Sequence, residues 1–340
     1  MKEHKIIRQT IKAPGGIHTM SWLNDGIIDW AQGGMFYGLD GSTAQKGQYH
    51  FSFNFDRSIT SHDGQYAFIY QNRGTKGLLL KNGEKLREIN RSYYHAATYE
   101  YPAAFYTSPG GITYLIHCPI EYCRLDLEEV ESGKIVTDIP DRNPVDIFHS
   151  RLEVSPDSKF LMVRGWVWHP LDVLFVYDLD ACLQNPMLLD KPMINLGNSV
   201  DESSIGAFIN NDQILTESPY SEDDEDEADK TKYQLSVWDF KKQTIIHRLN
   251  VSGTFGNIVA IHDNLAWDFF QHPKIIELQT GEIVDQLEEL STGTQTSSII
   301  HHLDQVPNII YNRKLNKVAV KTASNSNHPD FYDQLEILSL

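Results

Sequence analysis

Seven short turns, spaced almost evenly along 340 residues, constrain this chain more than any other feature. They are Asn24-Asp25-Gly26, His62-Asp63-Gly64, Pro109-Gly110-Gly111, Pro156-Asp157-Ser158, Asn211-Asp212, His262-Asp263-Asn264 and Asn312-Arg313-Lys314. From Gly26 through Gly64, Gly110, Ser158, Asp212 and Asn264 to Lys314 the gaps are 38, 46, 48, 54, 52 and 50 residues. A period of ~40–50 residues belongs to repeats of one small sheet each, a unit that cannot bury its apolar face alone. The unit from residue 150 is the clearest. Arg151-Leu152-Glu153-Val154 alternates as a strand, Ser155-Pro156-Asp157-Ser158 turns, and Phe160-Leu161-Met162-Val163 opens a second strand. Val173–Asp178 supplies a third, and a fourth is expected near Met187-Leu188-Leu189.

The rest of the chain agrees. Helical periodicity is almost absent, and short β-branched and aromatic runs are cut by Gly, Asn, Asp and Pro. The 16 Tyr, 15 Phe and 6 Trp suit strands. The last unit offers Val306–Tyr311, Lys317–Thr322 and Gln334–Leu338, one strand short. Lys5–Ile11 is expected to supply the missing outermost strand and so remove an open edge. The expectation is one all-β domain over residues 1–340, a β-propeller of seven four-stranded antiparallel blades, closed by the N-terminal strand. Six or eight blades also fit the less regular first units, and an ordinary sandwich is the rival layout.

Three segments resemble the WD-repeat superfamily. Val154-Ser155-Pro156-Asp157-Ser158-Lys159-Phe160-Leu161 with Val176-Tyr177-Asp178-Leu179 looks like one such blade. Leu235-Ser236-Val237-Trp238-Asp239-Phe240 looks like the strand that carries the Trp-Asp dipeptide, and Ser61–Ala67 is a partial match. The Gly-His pair that opens such repeats is not found. The resemblance covers about two blades and implies a partner-binding platform by analogy of fold alone.

With 46 acidic and 29 basic residues the net charge is −17, which repels phosphate backbones and would steer a basic protein. No nucleic-acid role and no membrane role are expected, since no apolar run approaches the ~20 residues of a span. The N-terminal MKEHKIIRQTIKAPGG interleaves charges with apolar residues, and Cys118, Cys123 and Cys182 are too few for a disulfide scaffold. A cytoplasmic setting follows as an expectation. No nucleophile elbow or phosphate loop is present, and Gly41–Gly47 has the composition of such a loop in the wrong order. His117, Cys118 and Cys123 lack the spacing of a zinc site, so no cofactor is expected.

Two features stand out as binding candidates. His169-Pro170, His272-Pro273 and His328-Pro329 each fall between the second and third strands of a unit. These loops emerge on one rim, where Trp166, Trp168, His169, Phe270, His272 and His328 are expected to form a pH-sensitive binding surface. The plainer alternative is that Pro sets the turn and His is an incidental neighbour. The second feature is the acidic run Glu222, Asp223, Asp224, Glu225, Asp226, Glu227, Ala228, Asp229, which reads as a solvated loop on the same rim. The reading is a non-enzymatic protein-interaction platform for a basic partner. Its rivals are a propeller enzyme using metal or carboxylates in the central channel, and an immunity-type protein neutralising a basic toxin.

Overall fold

A computed structural model describes residues 5–196, 202–217, 233–251, 253–262, 264–306, 308–322 and 332–340. Among them lie seven antiparallel meanders, the blades of a seven-bladed β-propeller. Each of the seven turns read from sequence joins the first and second strands of a blade. The described helices are short, and none is long and apolar enough to cross a membrane.

The chain forms two compact units. One spans Ile7–Asp138 with the C-terminal strands. It holds blade 1 (Ser21–Leu23, Gly26–Asp29, Met35–Gly38, Thr43–Gln45), blade 2 (Arg57–Thr60, Tyr66–Tyr70, Lys76–Lys81, Glu84–Asn90) and blade 3 (Ala104–Thr107, Thr113–His117, Asp126–Glu129). It also holds blade 7 (Ile309–Asn312, Lys317–Thr322, Tyr332–Ser339), whose outermost strand is Ile7–Pro14, paired antiparallel with Tyr332–Ser339. That N-terminal strand is the closure expected from sequence. Arg8 reinforces it with Nε 2.8 Å and Nη2 3.0 Å from the buried Glu336 carboxylate, to which Thr10 also donates.

The other unit centres on Ile139–Val306. It holds blade 4 (Glu153–Val154, Phe160–Val167, Leu171–Asp178, Ile194–Leu196), blade 5 (Gly206–Phe208, Gln213–Glu217, Tyr233–Asp239, Thr244–Val251) and blade 6 (Ile258–His262, Leu265–Asp268, Lys274–Glu277, Ile283–Gln286). The fourth strand of blade 4 is Ile194–Leu196, not Met187–Leu189. Pro186 lacks an N–H for a ladder, and the Asn185 side chain caps Met187 N at 3.3 Å, so residues 186–190 coil into a 3-10 turn.

Blade 3 departs from the four-stranded pattern. Beyond Asp126–Glu129 only an isolated bridge, Glu128 to Ile135, continues the sheet. Thr137 fills in, its Oγ1 accepting from Leu127 N (2.9 Å) and donating to Asp126 (2.7 Å).

Strand alternation places the core between successive blades. In Tyr66–Tyr70 every residue is buried, because Ala67 and Ile69 meet Ile28 and Trp30 of blade 1 while Tyr66, Phe68 and Tyr70 meet Tyr101 and Leu115 of blade 3. Equivalent clusters join blades 7 and 1, 4 and 5, and 5 and 6.

The antiparallel order sends the loop between strands 2 and 3, and the link into the next blade, out at the same end of a sheet. A carboxylate at the last residue of strand 2 fastens these two segments together. Asp29 accepts from Thr19 N on the incoming link and from Ala31 N on the loop, both at 3.1 Å. Asp268 repeats this with Gly256 N (2.8 Å) and Phe270 N (3.1 Å). Glu217 takes Ser204 N of its incoming link at 2.7 Å.

Candidate functional site

In blade 4, Trp166 stands near the end of strand 2, and the loop from it to strand 3 carries Trp168 and His169. Trp166 is buried and stacks on Phe148, with centroids 3.9 Å apart and planes within 6°. The Phe148 and Trp166 backbones also bridge in both directions, and Gly165 permits the approach: a Cβ there would lie 2.5 Å from Phe148 O. Trp168 packs edge-on against both rings at 5.4 Å yet is 39% exposed, and His169 beside it has a positive φ of 94°. The tip therefore offers one tryptophan edge and one imidazole on a rigid base.

In blade 6, Phe270 and His272 are both half-buried. Lys274 braces this loop from below, bonded to Asp268 at 3.1 Å with its ammonium 5.7 Å from the centre of the Phe270 ring. His328 and the run Glu222–Asp229 lie outside the described residues.

Carboxylates gather near the blade 4 loop, of which Asp172 is buried and Glu217 half-buried. Asp172, opposite Trp166 in register, accepts Ser298 N at 2.9 Å. Burial, together with the Asp172 charge, raises the proton affinity of Glu202 and Glu217. Ser298 Oγ in turn receives Arg151 Nη2 at 2.7 Å and donates to Arg164 O. The carboxylates of Asp172 and Glu217 both accept backbone N–H groups and so fasten the chain segments beside them. Among the described residues no group of three or more His, Cys, Asp or Glu side chains could hold a metal ion. His117 is buried and paired with Glu128 at 3.0 Å.

The most exposed aromatic surface lies elsewhere, on the link from blade 2 to blade 3. Tyr93 is 82% exposed, Tyr94 46%, and His95 is exposed next to them. The Tyr94 ring contacts His95 at 4.6 Å and Tyr122 at 4.8 Å, Tyr122 coming from the blade 3 loop between strands 2 and 3. Exposed Glu121 and Ile120 flank Tyr122.

One buried cation holds this link. Arg91, 4% exposed, donates Nε to Gly74 O (2.7 Å), Nη1 to Glu100 O (3.2 Å) and Nη2 to Ala96 O (2.8 Å), Tyr99 O (3.0 Å) and Asn72 O (3.3 Å). Its guanidinium lies 4.4 Å from the Tyr99 ring centre and 4.8 Å from that of Tyr101. Burial lowers the Arg91 proton affinity and pushes the Tyr99 hydroxyl up to about 12. Five carbonyl contacts from one side chain hold residues 92–100 in a fixed arch with Tyr93 and Tyr94 outward and Tyr99 buried.

Reasoning from His-Pro pairs missed this surface. Its signal was the consecutive Ser92-Tyr93-Tyr94-His95 in an inter-strand link, where nothing in the local pattern buries two neighbouring tyrosines. No protein-family profile and no curated protein matches this chain.

Proposed function

We propose that this chain is a protein-interaction platform whose Tyr93–Tyr94–Tyr122 surface receives a basic segment of a partner protein. The observation that carries this reading is the pairing of large exposed aromatics with a rigid, internally fastened loop. Tyrosine and tryptophan concentrate binding energy at interfaces, and a loop already held in shape loses little freedom on binding. Arginine or lysine of the partner would stack on the tyrosine faces beside Glu121, while the net charge of −17 speeds encounter. The Trp168–His169 tip and the Phe270–His272 tip belong to the same reading as further candidate contacts, as do His328 and the acidic run Glu222–Glu227 from sequence alone. A cytoplasmic setting fits it, because three cysteines are too few for a disulfide scaffold.

The test is capture of interacting proteins from native lysate by the wild type and by a Tyr93→Ser, Tyr94→Ser variant. Both tyrosines are exposed, so the variant should melt within about 2 °C of wild type. It should lose a salt-sensitive basic partner, with binding weakened at least ~30-fold, as two interfacial aromatics imply. Retention of every partner at wild-type strength would remove this surface from the function.

A further inference from the structure

We propose that a cleft in the Ile7–Asp138 unit is a binding site for a small aromatic carboxylate. The cleft lies between the link from blade 1 to blade 2 and the outer half of blade 2. It has a volume of about 370 Å³, at the lower end of small-molecule sites. This site is separate from the tyrosine surface and does not rest on the proposed platform role.

The apolar lining comes from a simple sequence device. Phe51, Phe53 and Phe55 alternate with Ser52 and Asn54, and all three rings line the cleft, the segment bending at Phe53, where Phe55 N donates to Phe53 O at 2.7 Å. Phe55 is 7% exposed and anchors the segment in the core between blades 1 and 2. Phe53 is 47% exposed, tilted at 55° to Phe55 with centroids 5.1 Å apart. Leu78 closes the floor from blade 2. Three aromatic rings around one floor suit a flat aromatic guest.

The polar side of the cleft fixes the charge of that guest. Lys76 and Asn90 are register partners on adjacent strands, which brings an ammonium and an amide N–H to one place at the mouth. Glu88 also lines the cleft, but Lys85 holds it at 2.7 Å. Two lysines against one glutamate leave a positive excess, on a chain whose overall charge is strongly negative. A carboxylate is the group that Lys76 and Asn90 can receive together, and its aromatic body fits the phenylalanine side.

The experiment is a fluorine NMR titration with 4-fluorophenylacetate, compared with the neutral 4-fluorophenylacetamide. The proteins are wild type, Lys76→Gln and Phe53→Ala. Both substituted side chains are exposed, so all three should share one melting profile, which is measured first. The expected result is saturable binding of the acid at millimolar Kd or better. Lys76→Gln should weaken the acid about fivefold without affecting the amide, and Phe53→Ala should weaken both. Absence of saturation up to about 10 mM acid, equal affinity for acid and amide, or unchanged binding by Lys76→Gln would each overturn the assignment.

Discussion

Arg91 shows how much a single side chain can decide. A guanidinium has five donors in a fixed plane, and here that plane is surrounded by main-chain carbonyls spread from Asn72 to Glu100. A lysine can bring the same charge but only three N–H groups and no fork, so some of the five carbonyls would lose their side-chain donor in a buried place. Arg91→Lys should therefore cost about 2–3 kcal/mol, seen as a lower melting temperature. Amide exchange of residues 92–100 should accelerate more than elsewhere, and partner binding should weaken although no contact residue has changed. Equal exchange rates in that link would show that the arch holds itself without Arg91. Fluorine titration of the phenylalanine cleft should be unaffected by the same change, since Arg91 does not line it.

At the scale of the element, the repeat is written in its turns and in its fastenings. Ser61 and Ser155 begin the first turn of blades 2 and 4, and each hydroxyl donates to an aspartate two residues on (2.6 and 2.7 Å) and accepts the N–H five residues on (2.9 Å in both). Gly64 and Ser158 then take the same left-handed conformation, with φ of 74° and 58°. The second fastening is the carboxylate at the end of strand 2, and Glu217 is its testable case. Burial raises the Glu217 proton affinity, so the folded chain holds that proton more tightly than the unfolded chain does. This contribution is complete below the unfolded carboxylate range of ~4.3 and is lost as pH rises through the raised folded value. Glu217→Gln keeps an acceptor for Ser204 N without the charge. Its melting temperature relative to wild type should be higher at pH 8 than at pH 5, by a few degrees; a difference independent of pH would place no titration at this residue.

These two fastenings also explain what could be read in advance. Turns were legible because Gly, Asp, Asn and Pro act on their own neighbourhood. The outermost strand of blade 4 was misplaced, since Leu188 and Leu189 look like a strand until Pro186 and Asn185 are weighed. The irregular end of blade 3 depends on Thr137 reaching Leu127 and Asp126, and no pattern announces that. The tyrosine surface was the least legible feature, because its shape comes from Arg91 bonding across 19 residues of chain to Asn72. The phenylalanine cleft had a visible alternation, but which rings would remain exposed depends on how blade 2 packs.

For the molecule as a whole, the decisive pairing is that of Ile7–Pro14 with Tyr332–Ser339. Burial alone would raise the proton affinity of Glu336, yet Arg8 and Thr10 bring its carboxyl below the usual range. That stability is present above the unfolded value and is lost as pH falls through the lowered folded one. Deleting residues 1–12 removes Arg8, Thr10 and the buried Ile11, leaving a buried carboxylate without its cation and a sheet edge without a partner. The loss should be several kcal/mol, with aggregation at concentrations where the intact chain stays dispersed. A truncated protein that melts with the wild type and remains monodisperse would show that blade 7 is sufficient with three strands.

Arg8 and Glu336 stand 328 residues apart, and that distance has a consequence for how the chain comes into being. On the ribosome Ile7–Pro14 emerges long before its partner Tyr332–Ser339. At roughly 5–20 residues per second the N-terminal strand waits tens of seconds with its pairing groups unclaimed. Every other blade takes its strands from one continuous stretch and can form as it is made, whereas blade 7 is completed only when a strand made much earlier docks onto it. A version with Ile7–Pro14 moved behind Ser339 by a short linker would convert that docking into a local hairpin and remove the wait.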